Sequence, residues 1–439
     1  MPASGHSRIM SLTALTYRAA TTALSPLLPI WLKRRARNGK EDIARITERY
    51  GVASLSRPDG TLFWMHGASV GETLMLLPLI KALLVDHPKA YILVTSGTVT
   101  SAKLMAQRLP ARCFHQYAPL DTPKAAKRFL AHWQPDLAIW AESEIWPNLI
   151  LESHKRGVPM ALINARMSEK SLKGWARHKK FAAKIFISFN YIQAANAQTA
   201  EALSKFTAQN LPIFASLKEA GSPLGFDNEQ AKTLTEAIGT RPIWCAASTH
   251  AGEDEIILNA HAKILAVHPN AIILLAPRHP ERSQDVHFLA LNIIDGANCA
   301  FHSRKDLLTD KTQIYIFDTI GDMGLAFNLS AVTMMCGSLT DGLLGHNPLE
   351  PARHKNAVLT GPNVESFKNI YQDMFAFDAA VTILDDMQLS QTICRYFAYP
   401  EELKTQQDKA YEFSQNRRAI LDVTLDNLRP LIDTKRNVS

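Results

Sequence analysis

Glu72 stands in the stretch Trp64-Met65-His66-Gly67-Ala68-Ser69-Val70-Gly71-Glu72-Thr73, where two glycines flank a serine and a carboxylate follows at once. A carboxylate in such a turn takes a proton from an attacking hydroxyl when the two come within hydrogen-bond reach. The same four residues, Ser69-Val70-Gly71-Glu72, also spell a capping box, in which the glutamate bonds back toward the helix cap. Spacing alone leaves both roles open.

Four later stretches carry the complementary chemistry. They are Ala247-Ser248-Thr249-His250-Ala251-Gly252-Glu253-Asp254, Pro277-Arg278-His279-Pro280-Glu281-Arg282, Asp318-Thr319-Ile320-Gly321-Asp322-Met323-Gly324, and the run from Gly337 to Ala352. Together they offer Arg278, His279, Arg282, His346, small hydroxyls and helix-start amides. Arginine with helix N-termini is a way to hold a phosphate without a metal ion. Asn347-Pro348-Leu349-Glu350 reads as a helix start, with Asn as cap and Pro at the first position. Glu350 there either caps or accepts hydrogen bonds from a ribose diol.

These residues need elements to position them. The apolar run Thr61–Met65 enters the Glu72 turn and a helical pattern, Leu74 to Val85, leaves it. Further candidate strands are Tyr91–Thr95, Cys113–Tyr117, Asp136–Trp140, Pro159–Ile163 and Tyr191–Ala195, with amphipathic segments between them. That alternation predicts a parallel sheet with helices on both faces. The pattern loosens over Leu211 to Asn228, a linker, and a second series begins: Pro242–Ala247, Ala271–Ala276, Ile314–Asp318, Ala331–Cys336 and Ala357–Thr360. The expectation is an α/β protein of two Rossmann-like domains facing each other across a cleft. The domains are expected at 41–215 and 216–400, with a helix over 401–439 packing back on the first. If both sheets are parallel, the candidate loops open at the carboxyl ends of strands, where such sheets bind ligands. Gly67 and Gly71 do not have the spacing of a dinucleotide fingerprint, which argues against NAD.

Composition narrows the class. The 439 residues are 46% hydrophobic and 20% charged, which suits a globular chain large enough for two cores. Five scattered cysteines without C-x-x-C spacing predict reduced thiols and neither a disulfide framework nor a zinc site. A net charge of +7 favours acidic partners: nucleic acid, anionic lipid or a phosphorylated substrate.

The first forty residues speak for lipid. Ala19 to Leu32 carries no charge but is too short to span a bilayer, and Pro26 and Pro29 interrupt it. Leu12, Leu15, Ala19, Ala23 and Leu27 recur at helical spacing, and Lys33-Arg34-Arg35-Ala36-Arg37 follows directly. An apolar helix beside basic side chains predicts attachment to an anionic membrane surface over residues 1–40, with no cleaved signal peptide.

Taken together, Gly67-Ala68-Ser69-Val70-Gly71-Glu72, Glu142-Ser143-Glu144-Ile145-Trp146-Pro147, Asn164-Ala165-Arg166, Ser248-Thr249-His250, Pro277-Arg278-His279-Pro280-Glu281-Arg282 and Gly345-His346-Asn347-Pro348-Leu349-Glu350-Pro351-Ala352 resemble Kdo transferase, the 3-deoxy-D-manno-octulosonic acid transferase of lipopolysaccharide assembly. The likeness is collinear from Gly39-Lys40-Glu41-Asp42 to about residue 370. It implies a GT-B glycosyltransferase that passes Kdo from CMP-Kdo to a lipid A precursor. It implies inversion at the anomeric centre, no metal and no cofactor, no nucleic acid partner, and work at the cytoplasmic face of the inner membrane. By the same resemblance Glu72 is the general base. Arg278, His279, Ser248, Thr249, Gly321, Asn347 and Glu350 hold the donor, with His250 and Pro277 nearby. His66, Ser69, Glu144 and Arg166 line the acceptor or Kdo pocket, although His66 reads equally as a satisfied core histidine. This chain departs from the family pattern at Cys336-Gly337, Leu344-Gly345, Asp322 and Ala215-Ser216-Leu217-Lys218. A nucleotide-sugar epimerase would share the paired domains, but its soluble substrates give no reason for the first forty residues. A binding protein that kept the fold would have no need of both Glu72 and Arg278.

Overall fold

The computed structural model describes residues 12–436. The expected membrane segment and the terminal helix therefore each run past its limits, at residues 1–11 and 437–439. The chain divides into two compact units. One runs to Gly221 and resumes at Ala419; the other is Ser222–Arg418.

In the first unit six strands form one parallel sheet: β1 Leu62–His66, β2 Tyr91–Ser96, β3 Cys113–Tyr117, β4 Leu137–Ala141, β5 Met160–Ala165 and β6 Tyr191–Ala194. Their order is β3-β2-β1-β4-β5-β6. Parallel strands covered on both faces read as continuous apolar runs, and β1 (Leu-Phe-Trp-Met-His) is buried throughout. Alternate residues supply the two faces. Leu62, Trp64, Leu93, Ala138 and Trp140 enter one core, while Phe63, Met65, Ile92, Val94 and Ile139 enter the other. The chain winds from β1 outward one way and from β4 outward the other. The switch point lies between β1 and β4, where ligands enter sheets of this kind.

The second unit repeats the plan with seven strands: β7 Ile243–Thr249, β8 Ile272–Pro277, β9 Cys299–Phe301, β10 Ile314–Ile316, β11 Val332–Met335, β12 Ala357–Thr360 and β13 Ala380–Thr382. All pairings are parallel, in the order β13-β12-β11-β7-β8-β10-β9. Its switch point lies between β7 and β11. Every strand expected from the sequence is present, moved by a residue or two, and the edge strands β9 and β13 join them.

The boundary between the units lies later than residue 215, because Leu217 and Ala220 are buried in the first unit's core. The last helix, Pro400–Arg436, is shared. Its Ala410 and Phe413 belong to the second unit's core, and its Ile420, Leu425, Leu428 and Ile432 to the first's.

At the amino end, Leu12–Ala23 and Leu28–Arg37 are helical, separated by one turn at Ser25–Leu27 that contains Pro26. Ala14 is buried, Tyr17 donates to Asp121 at 2.9 Å, and Asn148 donates to Thr21 at 3.1 Å, so this face is fixed to the body of the unit. The leucine face expected from the spacing is turned outward: Leu12 is 78% exposed, Leu15 47% and Leu27 57%, and Ile30 beyond it is 68% exposed. Among the described residues no helix is long and apolar enough to cross a membrane.

Candidate active site

Glu72 sits at the switch point of the first sheet, in the opening turn of helix Val70–Asp86. Its carboxylate accepts the Ala68 N–H and the Ser69 hydroxyl, both at 2.7 Å, and the Ser69 oxygen accepts the Glu72 N–H at 3.3 Å. The capping geometry is therefore real, though the amide it reaches precedes the cap residue by one. Gly67 is needed for it, because a Cβ there would lie 2.9 Å from the Cβ of Glu72. Burial pushes the Glu72 carboxyl above its ordinary value, and the charges of Glu144 and Glu142 add to the rise. The Ser69 hydroxyl and the Ala68 amide pull the other way. A carboxylate made more basic by its surroundings, yet held in place by two donors, is suited to receive a proton.

The loop after β4 faces it from the other side of the switch point. His66, at the end of β1, is buried, with Nδ1 2.8 Å from the Thr95 hydroxyl and Nε2 3.7 Å from Glu144. The Thr95 oxygen already accepts the Trp64 indole N–H at 2.9 Å. The Thr95 hydroxyl also reaches the Met65 carbonyl at 3.4 Å, so the tautomer of His66 follows from which of the two it donates to, while Nε2 faces the Glu144 carboxylate. Burial works to raise the Glu144 carboxyl, but His66 and the Trp146 indole (2.8 Å) outweigh it and hold Glu144 below its ordinary value. His66 thus packs in the core on one edge and faces the Glu144 carboxylate on the other.

Sequence reasoning passed over Glu142, Asn164, Lys218 and Thr95. Glu142 and Asn164 both adopt left-handed backbone, and Asn164 lies where the pairing of β5 with β6 shifts register. Glu142 accepts Lys218 Nζ at 2.7 Å and is 3.4 Å from the Asn164 amide. Strained residues and bulges at strand ends gather at functional sites. The signal in sequence was slight: Glu142 and Asn164 fall inside recognised motifs, while Lys218 stood in a presumed linker. Arg166 is exposed just beyond β5.

In the second unit Ser248 lies at a register shift between β7 and β8, with a left-handed φ of 62°. Thr249 is buried, and its carbonyl accepts the Arg278 N–H at 3.0 Å and the Arg282 guanidinium at 3.3 Å. His250, after β7, and His346, after β11, meet across the switch point with their Nε2 atoms 3.0 Å apart and their rings stacked at 13°. Burial lowers His250 against the pull of the Glu253 charge, helped by His279, Arg278 and Arg282. Burial, His250 and Arg278 push His346 down to about 4. Both imidazoles are shifted toward the neutral form, in which one can donate to the other. Arg278 and His279 are exposed at the carboxyl end of β8.

The Asn347 side-chain oxygen accepts the Leu349 N–H at 3.2 Å, and its amide donates to Glu350 at 3.2 Å. Pro348 precedes the helix Leu349–Arg353 and does not open it. Burial raises the Glu350 carboxyl against the pull of Asn347, Arg353 and Arg278. Gly321 follows β10, away from the switch point, in an exposed turn at φ 106°. Gly337, Gly342 and Gly345 carry the left-handed turns of the loop after β11, so Leu344 needs no such conformation. All five cysteines are free thiols, Cys245 and Cys336 fully buried. Among the described residues no group of three or more His, Cys, Asp or Glu could hold a metal ion.

A sequence profile for 3-deoxy-D-manno-octulosonic-acid transferase (kdotransferase) matches residues 44–220. A probable mitochondrial 3-deoxy-D-manno-octulosonic acid transferase of Arabidopsis thaliana is 33% identical over 403 residues, covering 89% of each chain. The chain belongs to the Kdo transferase family. The Kdo transferase of Haemophilus influenzae is 32% identical, over 90% of this chain and 92% of its own. It follows that the chain is a glycosyltransferase of this type. A crystal structure of a glycosyltransferase from Rickettsia africae shares the fold, with a TM-score of 0.52 at 13% identity over 85% of this chain and 99% of that one. UDP-GlcNAc 2-epimerase from Neisseria meningitidis shares it to the same degree, at 10% identity over 84% of this chain and 100% of that one. Fold therefore does not separate transferase from epimerase. Membership of the Kdo transferase family does.

Proposed function

We propose that this member of the family transfers Kdo from CMP-Kdo to the lipid A precursor lipid IVA, with Glu72 as general base and no metal ion. The observation that carries the reading is the Glu72 carboxylate: buried, raised above its ordinary value, and fixed at the switch point of the first sheet. In the step, Glu72 takes the proton of an acceptor hydroxyl as its oxygen bonds to the anomeric carbon of Kdo. The bond from that carbon to the CMP phosphate oxygen breaks, and the electron pair leaves with CMP. Attack opposite the leaving group inverts the centre. Arg278, with His250 and His346 beside it, neutralises the phosphate as charge develops there. Asn347 and Glu350 take the cytidine end, with Ser248, Thr249, His279 and Gly321 completing the donor site. His66, Ser69, Glu144 and Arg166 shape the acceptor side.

The outward face of Leu12, Leu15, Leu27, Ile30 and Trp31, followed by Lys33, Arg34 and Arg37, supports attachment to the cytoplasmic face of the inner membrane. Apolar side chains would enter the headgroup boundary while the cations meet anionic lipid. The test is mass spectrometry of products from CMP-Kdo and a tetra-acylated lipid A precursor. A gain of one or more Kdo masses on the lipid is expected, and the gain counts the sugars added. An unchanged lipid, under conditions where a control Kdo transferase works, would reject the reading.

A further inference from the structure

Glu253 is fully buried in the first turn of helix Glu253–Val267, and its two oxygens accept four backbone amides. One oxygen takes Ser338 and Leu339, both at 2.9 Å; the other takes Gly337 at 2.7 Å and His250 at 3.0 Å. A helix cap would account for the His250 bond alone. The other three reach the loop after β11, more than eighty residues along the chain.

Successive amides at a left-handed residue form a concave anion site, and Gly337 has a φ of 73°. Here the anion is part of the protein. The amides of residues 337–339 are committed to Glu253, so they are not what holds a substrate phosphate. Their carboxylate ties together the two loops that flank the switch point, and each loop carries one imidazole of the 3.0 Å pair. His250 hangs from a clamped amide. His346 rests on Gly337, where an added Cβ would come within 2.6 Å of the ring, and Gly345 donates back to the Gly337 carbonyl at 2.7 Å.

We propose that Glu253 is a positioning residue of the donor site, fixing His250 and His346 against one another by holding both loops on a single carboxylate. The inference rests on the donor-site reading above. Gln at this position has one acceptor and turns an NH2 toward two of the amides, which parts the loops while keeping the size of the side chain. Asp keeps the charge but is one carbon too short to reach all four amides.

The experiment uses the full chain, with CMP as the calorimetric probe, donor kinetics, and amide hydrogen exchange. Loops that hold the competent arrangement only about a tenth of the time weaken apparent affinity about tenfold. E253Q should therefore weaken CMP binding by about tenfold or more and raise the donor KM in step, with kcat falling far less. Exchange should quicken at residues 337–339 and stay unchanged in β1–β6. E253D should fall between E253Q and wild type, which keeps the test intact if E253Q does not fold. A folded E253Q or E253D that binds CMP within twofold of wild type would overturn the assignment and leave Glu253 a packing residue. Wild type that does not bind CMP would overturn the donor-site reading, and this inference with it.

Discussion

Replacing Glu72 by Gln separates its two possible duties. Gln keeps the cap, because its carbonyl still accepts the Ala68 N–H and its amide donates to the Ser69 oxygen, across contacts now 2.7 Å long. It cannot take a proton. General base catalysis contributes about 10²–10⁴-fold, or about 2.7–5.4 kcal/mol of barrier. E72Q should therefore lose turnover by that factor and still bind CMP like wild type. Its stability should move the other way. The folded value of Glu72 is raised, so the native state holds this proton more tightly than the unfolded chain does. The stabilisation is complete below the ordinary carboxylate value and is lost as pH climbs through the raised one. Gln does not ionise, so E72Q should melt at or above wild type at neutral pH, with the gap closing in acid. E72A loses both hydrogen bonds, about 1–3 kcal/mol, and should melt a few degrees lower. The assay is Kdo transfer followed by mass spectrometry beside thermal melts of all three proteins. An E72Q enzyme retaining more than about a tenth of wild-type turnover would refute the argument, since a base worth about a hundredfold or more cannot be lost so cheaply.

Removing the Ser69 hydroxyl takes away a bond that lowers the Glu72 value, so S69A should move the acidic limb of the pH–rate profile to higher pH and cost about 1 kcal/mol of cap; an unmoved limb would disconnect Ser69 from the base. R278A should weaken CMP binding and flatten its salt dependence with little change in melting temperature, because the side chain is exposed; calorimetry at two ionic strengths reads both. The pair Leu27→Glu and Ile30→Glu should abolish co-sedimentation with phosphatidylglycerol vesicles while leaving the melt unchanged, and retention of vesicle binding would place the membrane contact elsewhere.

The strands were legible because both faces of each sheet are buried, so apolar runs mark them directly. The exceptions, Cys299–Phe301 and Ala380–Thr382, are three-residue edge strands too short to show a pattern. Glu72, Arg278 and His346 were legible as candidates because they stand in loops that follow legible strands, where sheets of this kind bind ligands. Glu253 was not, since an acid in the first turn of a helix looks like a complement to the helix dipole. What it binds is a loop joined to it only in three dimensions. The same holds for Lys218, whose partner Glu142 lies far back in the chain. The leucine periodicity of the first helix was visible, but not which way it turned; Tyr17 and Thr21 settle that by reaching Asp121 and Asn148.

A ribosome makes the chain in order, and the first unit is not contiguous in that order. Its last strand is complete at Ala194, yet the core on one face of its sheet includes Ile420, Leu425, Leu428 and Ile432. Between them come the about 200 residues of the other unit, which at cellular synthesis rates occupy roughly 10–40 s. Throughout that interval the nascent sheet lacks part of its cover, while the second unit gains every residue that it needs. The half that is begun first is finished last, and it is the half that carries the outward-facing leucines of the first helices.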